Sequence, residues 1–249
     1  MKTLTLGLML SSLLFSQAVL AQVDAIKSAS SGNSGSHSGS SDYSDDDGSD
    51  SELGFVLIDV FFTKLLPGVA SWQQLKLEKK KVNPTVISFD VMLQSAIQPS
   101  SYYILNPRVR ANWGLFSTDF RFTYLVEEDI EGYKHLRTDD WQILQLNIVT
   151  TRNVIARIGG GILHENFSGG KTFGEGTLGI HLQSNSQRLG GMIEYRWSEP
   201  RNEWNAQAQF RVFQSKAFNG YFTAGIVHQR YYDTVTAWGL QGGFMLRIF

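Results

Sequence analysis

Residues 204–212 read WNAQAQFRV. Trp204, Ala206, Ala208, Phe210 and Val212 alternate with Asn205, Gln207, Gln209 and Arg211. A period of two marks a β-strand with one apolar and one polar face. The pattern continues in both directions. Toward the C-terminus, Trp238, Leu240, Phe244, Leu246 and Ile248 run opposite Gln241 and Arg247, after a segment at 220–231 with a blurred pattern. Toward the N-terminus it recurs in seven more segments, back to Ile87, Phe89, Val91 and Leu93 against Ser88, Asp90 and Gln94. From Thr85 onward the chain therefore reads as ten alternating segments.

A soluble antiparallel sheet also alternates. Four features favour a membrane barrel instead. The segments run to about ten residues, the length of a tilted membrane strand, where soluble strands average about five or six. The connections alternate: 114–118, 150–153 and 184–188 are tight, whereas 127–140 and 164–174 are long and polar. Outer-membrane barrels pair short periplasmic turns with longer external loops. Aromatics gather near strand ends, with Trp113, Trp141, Trp197, Trp204 and Trp238 expected at the membrane interfaces. Finally, the chain stops on a strand ending in Phe249.

These features give an all-β fold: an antiparallel transmembrane β-barrel of about ten strands over residues 85–249. Twelve strands follow if 55–66 and 69–82 both pair. Eight follow if the blurred ninth segment and a neighbour do not. An even count keeps both termini on the periplasmic side.

The chain ahead of the barrel divides into three parts. Residues 1–21, MKTLTLGLMLSSLLFSQAVLA, have a basic Lys2, a short apolar stretch and small residues before Gln22. This is the pattern of a cleaved secretory signal peptide. The acidic segment 22–54 is rich in Ser, Gly and Asp, and 23–54 carry seven acids against Lys27 alone. It is expected to be disordered, because it offers too little apolar surface to offset ordering entropy. Asp45, Asp46, Asp47 and Asp50 lack the ligand order of a calcium loop. Residues 55–84 open with FVLIDVFFTKLL, a short amphipathic helix or a strand, followed by a connector with EKKK at 78–81.

Composition narrows the function. The 249 residues include no cysteine, which excludes disulfide scaffolds and Cys-ligated metal sites. A formal charge of −1 argues against nucleic-acid binding. No cofactor or metal motif is present.

The terminal strand Trp238–Phe249 resembles the assembly signal of bacterial outer-membrane β-barrels. One departure is that Phe249 falls on the opposite parity from the apolar face. The wider layout is similar to that of uncharacterised outer-membrane proteins of Bacteroidetes type that pair a Ser/Asp-rich head with a compact barrel. The stretches that carry this likeness are PSSYYILNPRVRANWGLFSTDFR (99–121), RTDDWQILQLN (137–147) and EYRW (194–197). The resemblance implies an outer-membrane location, lipid contact and insertion by the barrel assembly machinery. It implies no activity.

With the apolar face toward lipid, the other face lines the lumen. Arg108, Arg110, Arg121, Arg157, Arg196, Arg211 and Arg247 then stand against Asp90, Asp119 and Glu194, an excess of four positive charges. Such a lumen either attracts anions or forms a salt-bridged filling. Eight strands leave room only for side chains, and water-filled channels appear at about 16. A filled lumen is therefore preferred over a narrow anion or small-solute channel. Arg108, Arg110, Asp119 and Arg121 are expected to cluster near the periplasmic rim.

A hydrolase or acyltransferase is the rival class. His164, Glu165 and Ser168 would have to meet His135, Asp139 and Asp140 at the outer rim. No strained GxSxG elbow accompanies them, so a non-enzymatic role with a periplasmic or surface protein partner is preferred. A soluble exported sandwich or lipocalin-like binder is the other alternative.

Overall fold

The computed structural model describes residues 22–32, 87–98, 102–129, 132–151, 153–167 and 169–249. Ten strands follow one another: β1 (Ile87–Gln98), β2 (Tyr102–Trp113), β3 (Phe116–Asp129), β4 (Gly132–Thr150), β5 (Val154–Glu165), β6 (Thr172–Gln183), β7 (Leu189–Ser198), β8 (Arg201–Gln214), β9 (Phe218–Tyr231) and β10 (Val235–Ile248). Each pairs antiparallel with its sequence neighbour, and β1 pairs with β10 to close the barrel. The segment with the blurred pattern is a full strand, β9, paired on both sides.

The alternation decides which side chains face in. Along β8, Arg201, Glu203, Asn205, Gln207 and Gln209 are buried, while Trp204, Ala208 and Phe210 are exposed. Leu93, Leu178, Ile193, Phe222, Ile226, Leu240 and Phe244 are likewise exposed on other strands. The barrel is therefore polar inside and apolar outside, the inverse of a soluble one. The outward face of β10 is that read from the sequence, with Leu240, Phe244 and Ile248 exposed. The strand ends at Ile248, and Phe249 turns to the mouth of the lumen.

Glycine lets the wall bend where neighbouring backbones approach closely. A Cβ on Gly161 would lie 2.0 Å from the carbonyl oxygen of Trp141, beside an irregularity in the β4–β5 register between Trp141 and Leu144. This supports the reading of 159–161 as kinks in a curved sheet.

One end of the barrel carries the turns at 114–115, 151–153, 184–188 and 215–217, the start of β1 and the C-terminus. We call it the near mouth. The far mouth carries the other connections. The polar stretches 127–140 and 164–174, read as loops, are mostly strand. β3 runs to Asp129 and β4 starts at Gly132, with Glu127 opposite Lys134 and Arg121 opposite Asp140. Only 166–171 separate β5 from β6. These ladders are polar because a hairpin projecting past an apolar band needs no apolar face, so composition alone disguises them.

The sequence also placed 22–32 within a disordered segment, whereas Gln22–Gly32 form a helix, α1. Val23, Ile26 and Ser30 share one face and are fully buried. They pack at the far mouth against Tyr102, Ile104, Leu125, Leu136, Phe167, Val227, Tyr231 and Ala237. The strand termini share one end, as an even count requires, but α1 sits at the other. The leader 1–21, the acidic run 33–54 and the segment 55–84 lie outside the described residues.

Candidate functional site

Three layers occupy the lumen: a helix at the far mouth, a charged network below it, and a cavity at the near mouth.

The network joins five arginines to five carboxylates. Asp119 accepts from Arg108 Nε at 2.9 Å, Arg110 Nη2 at 2.6 Å and Arg196 Nη2 at 3.0 Å. Glu194 accepts from Arg108 Nη2 at 2.7 Å, Arg110 Nη2 at 2.8 Å and Arg196 Nε at 2.8 Å. Arg201 Nη2 donates to Asp140 at 2.5 Å and to Glu175 at 2.9 Å. Arg121 donates from Nε to Asp140 at 2.8 Å and from Nη2 to Glu203 at 3.0 Å. None of these ten side chains is more than 3% exposed. Unpaired, each buried charge would cost several kcal/mol, so mutual pairing is the condition for burying them.

Two of these ion pairs cross the lumen. β2 and β7 are diametrically opposite in the ten-strand order, as are β3 and β8. Arg108 to Glu194 spans the first diameter and Arg121 to Glu203 the second. Beside them, amides on β1, β8 and β10 also bond across the interior: Gln94 bonds Gln207, and Gln241 Nε2 donates to Asn205 at 2.8 Å.

The expected excess of four positive charges is corrected here. Arg211 is half-buried near the near mouth and outside the network, while Arg201 takes a lumen position. Asp140, Glu175 and Glu203 also point inward. Seven buried arginines (108, 110, 121, 157, 196, 201 and 247) thus face eight buried acids (90, 119, 127, 140, 165, 175, 194 and 203), of which Glu127 and Glu165 lie at the far mouth. Asp90 and Arg247 pair at 2.7 Å. Arg157 alone of the seven has no ion pair among the described residues, and its buried Nε and Nη1 have no hydrogen-bond partner. Arg108, Arg110, Asp119 and Arg121 do come together, but deeper than the rim: the near-mouth cavity, with Ser88, Asn112, Asn147 and Arg157 in its wall, lies at that end.

That cavity holds about 380 Å³ and is also lined by Gln183, Lys216, Asn219, Tyr221, Arg247 and Phe249. Phe249 N–H donates to the Ala217 carbonyl at 2.9 Å.

At the far mouth, Glu127 caps α1. Its two oxygens accept the Gln22 and Val23 N–H groups, each at 2.9 Å. A carboxylate there answers both the orphan donors and the positive end of the helix dipole. Lys134 Nζ lies 2.5 Å from Asp24.

The residues weighed for catalysis go separate ways. Asp140 faces the lumen network, whereas Asp139 pairs outside it with Arg137 at 2.8 Å. Glu165 accepts the Tyr232 hydroxyl at 2.6 Å, and His164 Nδ1 lies 2.9 Å from Thr172 Oγ1. His135 is exposed, and Ser168 lies outside the described residues. Of the tryptophans, Trp197, Trp204 and Trp238 lie toward the far-mouth turns and Trp113 beside the near-mouth turn, while Trp141 is mid-strand. Tyr195 stacks on Trp204 at 4.4 Å and on Trp197 at 5.6 Å.

Sequence reading placed Asp140 in a loop and left Glu175, Arg201 and Glu203 unassigned. The signal was there in parity: Glu203 and Arg201 continue the series Asn205, Gln207, Gln209. No protein-family model matches the chain, and no curated protein matches it in sequence.

Proposed function

We propose that this protein is a small integral outer-membrane barrel with a sealed lumen, serving a structural or interaction role rather than transport or catalysis. The observation that carries the reading is the pair of ion pairs across opposite walls, Arg108–Glu194 and Arg121–Glu203. A barrel of this size has little room beyond its own side chains.

The membrane placement rests on the continuous apolar outer face and on strands of ten to nineteen residues. Trp113, Trp197, Trp204 and Trp238 fit interface positions, and Phe249 fits an assembly signal read by the barrel assembly machinery. The Bacteroidetes-type affinity rests on the likeness of 99–121, 137–147 and 194–197. Export by a cleaved leader is supported by the bonds from the Gln22 and Val23 N–H groups to Glu127, since cleavage before Gln22 would free an amino group next to that carboxylate. The far mouth, with its long β3–β4 hairpin, is the external end, and the surface it forms with α1 is where a protein partner would dock.

The test is extraction and permeability. The protein should need detergent, migrate faster unheated than boiled, and leave proteoliposomes impermeable to small sugars and ions. Release by salt or carbonate would overturn the membrane reading. Rapid solute efflux would overturn the sealed lumen.

A further inference from the structure

We propose that the near-mouth cavity is a binding site for a small oxyanion, of the phosphate class, held by Arg157. This goes beyond the sealed-barrel reading and does not depend on it, since none of the ten network side chains lines the cavity.

Charge carries the argument. Arg157 is 3% exposed, and it supplies the one lumen charge that no carboxylate answers. A buried, uncompensated guanidinium is among the costlier groups a fold can hold. Here it lines a polar cavity of about 380 Å³, ample for a phosphate ion with water. The wall also carries Lys216 and Arg247, the latter already paired with Asp90, and no Asp or Glu side chain.

A neutral donor completes the site. Tyr221 is 1% exposed and lines the same cavity. Its hydroxyl oxygen accepts from Gln183 Nε2 at 3.2 Å and from Asn219 Nδ2 at 3.5 Å. In that arrangement the hydroxyl keeps its own proton available to donate. A bound oxyanion that accepts from Arg157 and Tyr221 would give that guanidinium the partner its own wall does not supply. Guanidinium and phosphate match in geometry, and burial strengthens the pair.

The test is isothermal titration of the refolded full chain in neutral detergent with inorganic phosphate, with chloride of equal ionic strength as the blank. The wild type should bind one phosphate. Arg157→Gln and Tyr221→Phe should each weaken binding, Arg157→Gln by about tenfold or more, while Arg211→Gln, outside the network, leaves it unchanged. Thermal unfolding gives a second readout that a merely structural arginine would not produce. In phosphate-free buffer Arg157→Met should unfold at a higher temperature than the wild type, and added phosphate should close that gap by stabilising the wild type alone. Should Arg157 variants fail to fold, Tyr221→Phe and Lys216→Gln still report on the site. No phosphate heat from the folded wild type, or equal binding by folded Arg157→Gln, overturns the proposal.

Discussion

Arg121 on β3 and Glu203 on β8 stand on opposite walls of the barrel, five strands apart in either direction, and bond directly, with Nη2 3.0 Å from Oε2. The lumen is therefore bridged by the wall's own side chains. Glu203 also accepts from Gln229 Nε2 at 2.7 Å, and Gln229 in turn takes the Tyr231 hydroxyl at 3.2 Å. Through Gln229 and Tyr231 the Glu203 side of the bridge is tied to the layer beneath α1.

Glu203→Gln removes one partner and leaves Arg121 buried with a single carboxylate. It should destabilise the barrel by about 3–5 kcal/mol, measured by urea unfolding in detergent micelles. The paired change Arg121→Met with Glu203→Leu removes both charges and should cost much less, since apolar groups of similar volume replace a buried pair at little loss. Additive losses in the double variant would mean that the two side chains act independently.

The helix at the far mouth is held by apolar contact and by one carboxylate. Ile26→Ala should weaken its docking by about 2–5 kcal/mol, the usual range for a buried large-to-small change. Glu127→Gln should weaken it by roughly 1–2 kcal/mol, by loss of charge at the helix start. Both are read as faster amide exchange over residues 22–32 with unchanged exchange in β2 and β3. Unchanged protection of the helix would contradict its docking on the barrel.

Burial raises the Tyr232 phenol above its usual range, and the Glu165 carboxylate beside it adds to the shift. A raised folded-state value favours the protonated form. The stabilisation is therefore complete below the ordinary phenol range, near pH 10, and is lost as the pH rises beyond it. The far mouth should open in alkali, seen as helix exchange that accelerates above that pH. Tyr232→Phe should remove the pH step. A step retained in that variant would assign it to another group.

The chain has no cysteine, so single cysteines report sidedness without background. Ser31→Cys on α1 and Gly169→Cys in the β5–β6 turn lie at the far mouth, and Ser186→Cys in the β6–β7 turn lies at the near mouth. In intact cells an impermeant maleimide should label the first two and spare the third. Labelling of Ser186→Cys alone would reverse the orientation. Labelling of Gly169→Cys without Ser31→Cys would separate the helix from the outer mouth.

Much of this fold was legible from alternation. Positions such as Trp204, Ala206, Ala208 and Phe210 fix a wall whose outer side is apolar, and closure follows from ten such segments in sequence. What stayed hidden were the parts where that rule stops applying. Beyond the apolar band, Glu127, Lys134 and Asp140 belong to strands with polar side chains on both faces, so they look like loop. Beneath α1, Ile104, Leu125 and Val227 are apolar on the inward parity, because they face a helix rather than water. In hindsight that inversion is the one sequence trace of the helix. The charge balance was missed for the same reason: Glu175 and Glu203 sit near strand starts, and Asp140 lies in the polar stretch read as loop. The identity of Arg157 as the odd charge depends on contacts across the barrel, which spacing along one strand does not encode.

The central claim is that the lumen is sealed by its own ion pairs, and single-channel recording of the refolded full chain in planar bilayers tests it most directly. With folding confirmed by heat-modifiable migration, the wild type should show no steady openings at any voltage that the bilayer tolerates. Ohmic openings from the folded wild type, anion-selective or not, would contradict the sealed lumen and show that the bridges from Arg108 to Glu194 and from Arg121 to Glu203 do not close it.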